Sequence, residues 1–453
     1  MAVMREARAD GARQRRPNRR TDGPPWGRVV LSGVLSLVLC SFSLLTPIER
    51  GFPMLRIAGL PFRWPFLVTA ALVLVMLVWD SRWSMRVLST RYCLRHAGVM
   101  IVLVAGALRS ELPATAIARV LAYLTAYVLN FVVLTWIFER GSRKTFVVVL
   151  CGVAITAAAL GVAEGAFSYR PAIYGQWFAN YDQAVGEFEV GLGSGYRVNG
   201  TLGNSIVYAM AMMLSLPFAA EIRSVTIRLG VCFLLLVAAA FTISKVVAVA
   251  ALPMFAWVAW RLGLRRVMLW FGALVIAALA YGAVYDAGNE AFGTRLLGRW
   301  TARLTDPQVV ALSTGLRSEM WLRALSPASN TGISLLVGHG LLSESTVSTA
   351  VYADLGTIDN TYLNLFYETG MVGLLAYLFA FTAPLWQLRS LAKRSIHYWA
   401  AVSLLMASFV FVSYHFYTFN FLATASMASL YVEHRKLAAL ERHKTLAAVG
   451  RTT

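Results

Sequence analysis

Thr357-Ile358-Asp359-Asn360-Thr361-Tyr362-Leu363-Asn364-Leu365-Phe366-Tyr367-Glu368-Thr369-Gly370-Met371-Val372-Gly373 is the stretch on which the fold turns. A long polar segment passes here, within a few residues, into an apolar helical run. Carboxylates and amides therefore stand at the mouth of a hydrophobic span. Ionisable groups at that depth are costly to bury, so they mark function by default rather than packing.

Outward from this stretch, apolar runs recur along all 453 residues, of which 58% are hydrophobic and 14% charged. A spanning helix takes roughly 20 mostly apolar residues. That window predicts an all-α polytopic membrane protein of about twelve transmembrane helices. They fall at 29–47, 65–79, 97–108, 114–137, 145–167, 203–220, 228–242, 245–260, 267–285, 361–387, 398–415 and 417–433. The third is short, and the seventh and eighth nearly touch.

A net charge of +19 raises nucleic acid as a partner. The placement of the basic residues excludes it, because they flank spans and form no separate basic domain. Arg13, Arg15, Arg16, Arg19 and Arg20 precede the first span, and Arg82, Arg86, Arg91 and Arg95 follow the second. Arg140, Arg143 and Lys144 follow the fourth, Arg261, Arg265 and Arg266 the eighth, and Arg389, Lys393 and Arg394 the tenth. All share one face if the twelve spans hold, and positive residues stay in the cytoplasm. Both termini are thus expected to be cytoplasmic. Residues 1–27 read as a disordered basic arm, 28–433 as the membrane domain, and 434–453 as a basic cytoplasmic tail. The apolar run after the arm has no small-residue cleavage site and reads as an uncleaved first span. Cys40, Cys93, Cys151 and Cys232 fall in spans or a cytoplasmic loop and build no external disulfide framework.

Two outer segments are long, 168–199 and 286–359, the second lying between spans nine and ten. The first ends in Gly191-Leu192-Gly193-Ser194-Gly195-Tyr196-Arg197-Val198-Asn199-Gly200-Thr201-Leu202-Gly203-Asn204-Ser205. These glycines imitate a dinucleotide loop but lack its strand-turn-helix context. Arg197 comes just before a helix N-terminus, where backbone N–H groups favour anions. It reads either as a bidentate phosphate ligand or as an interfacial arginine reaching headgroups. Lys245, in the turn Thr242-Ile243-Ser244-Lys245, reaches the same surface, and two cations there suit a diphosphate.

In the second segment Arg295, Arg299 and Arg303, with Leu296, Leu297, Trp300 and Leu304 among them, read as an amphipathic helix. It lies on the membrane or grips an anionic substrate. Arg317 and Trp321 share a helical face, and Arg317 is either half of an Arg-Glu pair or a substrate contact. Gly338-His339-Gly340 is a turn whose imidazole is a proton carrier or an exposed polar group. No second His or Cys stands at ligand spacing, so no metal site is expected. At Asp359 a functional carboxylate competes with a helix N-cap, as at Asn360. Glu368 is to be paired or raised in pKa if buried.

In that order, Arg197 to Asn204, Ser244-Lys245, Arg317 with Trp321, Gly338-His339-Gly340, and Asp359-Asn360 leading to Glu368-Thr369-Gly370 resemble the bacterial O-antigen ligase and polysaccharide polymerase family. The resemblance covers about residues 190 to 380 and extends to the layout of spans and outer loops. It implies a C-type glycosyltransferase of the bacterial inner membrane. Such an enzyme moves a glycan from an undecaprenyl diphosphate donor at the periplasmic face, without a metal or cofactor. By that resemblance Arg197 and Lys245 match the diphosphate-binding cations, while Asp359 stands where ligases have a functional histidine. Arg317, His339, Asn360, Glu368 and Asn204 become substrate-binding candidates. Its partners are the lipid-linked glycan, membrane lipids and a chain-length regulator. Lysine at 245 and aspartate at 359 depart from the ligase pattern, and the Asp-Asn pair looks more like the polymerases. An inverting polymerase is expected; the rivals are a ligase and, from another class, a lipid-linked oligosaccharide flippase. A flippase needs a polar path through its spans, and only Arg119, Asn130 and Glu164 are obvious intramembrane polar residues. Arg119 and Glu164 are expected to snorkel from span ends.

Overall fold

The computed structural model describes residues 26–45, 55–57, 60–62, 64–167, 198, 200–202, 205–242, 244–262, 315, 318–326, 332–343, 360–409 and 417–452. Its helices are α1 Trp26–Leu44, α2 Trp64–Trp79, α3 Ser81–Leu88, α4 Arg91–Leu108, α5 Pro113–Tyr123, α6 Asn130–Glu139, α7 Arg143–Phe167 and α8 Ser205–Ala219. They continue as α9 Val225–Ala240, α10 Lys245–Leu262, α11 Ile333–Val337, α12 Thr361–Gln387, α13 Ile396–Ala407 and α14 Tyr417–Thr452. A three-residue antiparallel hairpin, β1 Leu55–Ile57 with β2 Leu60–Phe62, pairs Leu55 with Phe62 and adds a little strand to the expected all-α fold.

Among the described residues, five helical stretches are long and apolar enough to cross a membrane: Trp26–Leu44, Arg91–Leu108, Pro113–Glu139, Arg143–Gly165 and Thr361–Gln387. Five shorter apolar helices accompany them. This is a helical membrane protein. The expected ninth span at 267–285 lies outside the described residues, as do all of the first outer segment but Val198 and most of the second, of which 315, 318–326 and 332–343 are described. Three boundaries move most, and one of them is the end of the eleventh span, expected at 415 and found at Ala407. The third span starts at Arg91 rather than 97, because Thr90 caps it by accepting from Cys93 N–H (3.4 Å) and its first turn carries the basic residues on the helix itself. The twelfth continues as one helix through the expected tail to Thr452.

Burial sorts the helices. Every residue of α14 from Asn420 to Leu430 is buried, as is nearly all of α8, so these two are enclosed on all sides. Ala423, Ala425, Ser426, Ala428 and Ser429 keep α14 thin enough for neighbours to approach closely. The outer helices instead expose apolar side chains, such as Val30, Val34 and Leu37 on α1 and Leu74, Val75 and Val78 on α2. That pattern suits lipid as solvent. Trp26, Trp79, Trp260 and Trp386, all exposed, end their helices at the same end as the arginines, which is the aromatic placement of a membrane interface.

Between α5 and α6 the chain forms a π-helical turn, Leu124–Leu129. Asn130 N–H donates to Thr125 C=O, skipping Ala126. The carbonyl so released accepts the Thr424 hydroxyl of α14 at 2.8 Å. A bulge in one helix thereby becomes a polar tie to the central one.

The basic end is held by ion pairs that join helix ends to the turns between them. In the turn between α8 and α9, Glu221 receives Arg143 through Nη2 (2.6 Å) and Nε (3.0 Å), and lies 2.6 Å from His397 Nε2. Burial raises this carboxyl, but the hydrogen bond from His397 and the Arg143 fork outweigh it. The group titrates at about 2 against an ordinary 4.5. Its folded value is the lower one, so its contribution to stability is complete above pH 4.5 and is lost as pH falls toward 2. Glu221→Gln is expected to lower the thermal midpoint of detergent-purified protein at neutral pH. Its deficit against wild type is expected to shrink as pH falls from 4.5 toward 2; a deficit constant over that window removes this pairing from the account.

Candidate functional site

At the end opposite the arginines, α12 begins with its own cap. Asn360 Oδ1 accepts from Tyr362 N–H (2.9 Å) and Leu363 N–H (3.1 Å), so Asn360 supplies the cap for which Asp359 was the rival. Asn360, Asn364 and Glu368 follow one another at four-residue spacing, all buried. Asn364 was not singled out in the sequence. It is fully buried, and among the described residues neither Oδ1 nor Nδ2 has a hydrogen-bond partner; its only signal was its position between Asn360 and Glu368.

Glu368 has no exposed side-chain surface. Its Oε1 receives Arg119 Nη1 at 3.1 Å and Leu342 N–H at 2.6 Å. Arg119 therefore does not snorkel to headgroups: it reaches inward from α5 to a carboxylate on α12. Glu164 is likewise buried rather than turned to lipid. Leu342 adopts φ 72, the described non-glycine residue in the left-handed region, which costs of order 1–3 kcal/mol. That turn is what aims its N–H at the carboxylate.

Gly370 breaks α12 with φ 69 and ψ −169. On the same side, the carbonyls of Tyr367 and Glu368 accept His339 N–H (3.0 Å) and Gly340 N–H (2.9 Å). The Gly338-His339-Gly340 turn thus lies along the kink, backbone to backbone. A Cβ at Gly338 would collide with the Glu368 carbonyl, and one at Gly370 with that of Leu336. A Cβ at Gly340 would sit 2.9 Å from Arg109 O. Arg109 Nη1 donates to Val337 C=O (3.1 Å), and Leu341 N–H to Gly106 C=O (3.0 Å), fastening the turn to α4 as well.

His339 stacks on Tyr367 with ring centroids 4.5 Å apart. The helical stretch 318–325 packs onto the same side of α12, through Trp321 and Ala324 against Leu363 and Tyr367. Elsewhere at this end, Val198 N–H meets Phe241 C=O at 3.4 Å. The backbone just after Arg197 therefore touches the turn that leads through buried Ser244 into α10 at Lys245. Arg197, Asn204, Arg317 and Asp359, and the Lys245 side chain, lie outside the described residues.

Two sets of expected residues are brought together. Trp321, His339, Asn360 and Glu368 converge on the first turns of α12, and Val198 meets the 241–244 turn. Within the first set Glu368 and Asn360 are internal fastenings: one pairs with Arg119, the other caps the helix. Compared with protein-family profiles and with curated proteins, the chain has no match, so the resemblance rests on the motif blocks themselves.

The Arg119–Glu368 pair can be tested as a pair. Arg119→Met strands a buried carboxylate and is expected to cost about 3–5 kcal/mol, whereas Arg119→Met with Glu368→Leu is expected to recover most of that loss. Equal losses in the single and double variants, read as urea unfolding of the detergent-purified protein, would deny the coupling.

Proposed function

We propose that this chain is a polysaccharide polymerase of the bacterial inner membrane, acting at the periplasmic face on undecaprenyl-diphosphate-linked glycan. One observation carries the reading: motif blocks far apart in sequence, Trp321, Gly338-His339-Gly340 and Asn360 to Gly370, converge at the end of the bundle opposite Trp26, Trp79, Trp260 and Trp386. The approach of Val198 to Phe241 at that end supports a common site for Arg197 and Lys245.

The chemistry follows from the leaving group. Diphosphate departs readily, so the enzyme must stabilise its growing negative charge and remove a proton from the incoming hydroxyl. A hydroxyl of the acceptor repeat unit attacks the anomeric carbon of the donor glycan from the face opposite the diphosphate. The new glycosidic bond forms as the anomeric carbon–oxygen bond to the diphosphate breaks, with inversion. Arg197 and Lys245 meet the departing charge, assisted by Arg317, and Asp359 takes the proton. Asn360 satisfies the helix end by itself, so capping gives no reason for an acid at 359. The donor and acceptor are the partners, with lipids around them; a chain-length regulator fits this reading, and nucleic acid does not.

The experiment is the profile of undecaprenyl-diphosphate glycans in a strain lacking the chain, complemented with wild type, Arg197→Ala or Asp359→Asn. Accumulated single repeat units, relieved by wild type and by neither variant at normal abundance, are expected. Accumulated long polymer would instead assign a ligase, for which the same residues serve. Repeat units held on the cytoplasmic leaflet would assign a flippase.

A further inference from the structure

Helices α4 and α12 lie side by side along the outside of the bundle, and at the basic end their seam opens into a groove of about 330 Å³. Arg91, Leu94, Arg95, Gly98, Ala376 and Phe379 line it. Arg91 and Arg95 are one helical turn apart, a spacing at which like charges repel. No described carboxylate pairs with either. Arg95 is held in place instead by neutral partners, its guanidinium 5.1 Å from the Phe379 ring and its Nη1 3.5 Å from Gln387 Oε1. Below the arginines the wall is apolar and has room: a Cβ at Gly98 would meet nothing within 4 Å. Exposed Ile101, Leu375 and Val372 continue the apolar surface along both helices away from the charges.

We propose that this seam is a binding site for an anionic phospholipid of the leaflet at the basic end. The phosphodiester lies between Arg91 and Arg95 and relieves their repulsion, and an acyl chain runs past Leu94 and over Gly98 toward Leu375. Charge and shape point to the same occupant. A free phosphate would use the arginines and leave the slot empty, while a zwitterionic lipid would fill the slot but bring a cationic headgroup beside the two arginines and so add no net negative charge. The inference is independent of the glycan chemistry at the other end.

Native mass spectrometry of the full chain, released from micelles doped equally with phosphatidylglycerol and phosphatidylcholine, tests it. Retained phosphatidylglycerol is expected to exceed phosphatidylcholine by about tenfold. The Arg91→Gln/Arg95→Gln double variant is expected to lose that preference. Gly98→Leu keeps both arginines but fills the slot, and is expected to lose the adduct. Equal retention of the two lipids, or a retained preference in either variant, overturns the proposal. So does thermal protection by inorganic phosphate alone equal to that by phosphatidylglycerol.

Discussion

The carboxylate of Glu368 is the charge around which the end of the bundle where α12 begins is organised. Taking it out of water costs several kcal/mol unless the charge is matched, and the match comes from Arg119 on α5 and the N–H of Leu342 beyond α11. Three segments are thereby fixed to one atom, Oε1. Apolar packing would hold α12 against its neighbours without setting its depth, because sliding one turn exchanges one apolar contact for another. A buried ion pair has one position. It also explains why Leu342 tolerates a left-handed backbone: the strain is offset by a hydrogen bond to an ionised acceptor.

Glycine at three places is a corollary of that fastening. The kink at Gly370 interrupts the helix just after Glu368, and the neighbouring carbonyls of Tyr367 and Glu368 are taken by the N–H groups of His339 and Gly340. Two backbones can lie so close only where side chains are missing. Gly338 and Gly370 face each other's chain for that reason, and each also needs a positive φ that other residues rarely adopt. The motif residues that catch the eye in sequence are thus largely the means by which a loop and a helix are locked together. The His339–Tyr367 stack and the Trp321 contact rest on the surface so made.

Hydropathy is a local property, and most helices lie where apolar runs place them, α12 above all. The failures have physical reasons. Arg91 and Arg95 look like loop residues, yet their long stems allow a helix to carry them out to the interface, so α4 begins earlier than its apolar run. Arg119 was read as a snorkelling side chain because its partner is 249 positions away, beyond any pattern in the sequence. The π turn has no signature in composition; it becomes intelligible only when Thr424 is seen to take the freed carbonyl. Asn360 and Glu368 were legible as polar residues in an apolar run. Asn360 took its role within its own helix, but that of Glu368 depended on Arg119 and Leu342 from other segments, and Asn364, equally buried, passed unnoticed between them.

The division of labour at α12 narrows where reactive charge can stand. Glu368 is shielded from solvent and its charge is already matched by Arg119, so protonating it would weaken the fastening that holds the loop. Asn360 is committed through Oδ1 to two backbone N–H groups. On the proposed reaction, the carboxylate that takes the acceptor hydroxyl's proton has to be a group outside this framework. In the reaction proposed above that group is Asp359, the sequence neighbour of Asn360, whose side chain caps α12. A rigid support directly behind a reactive carboxylate is what proton transfer over hydrogen-bond distance requires.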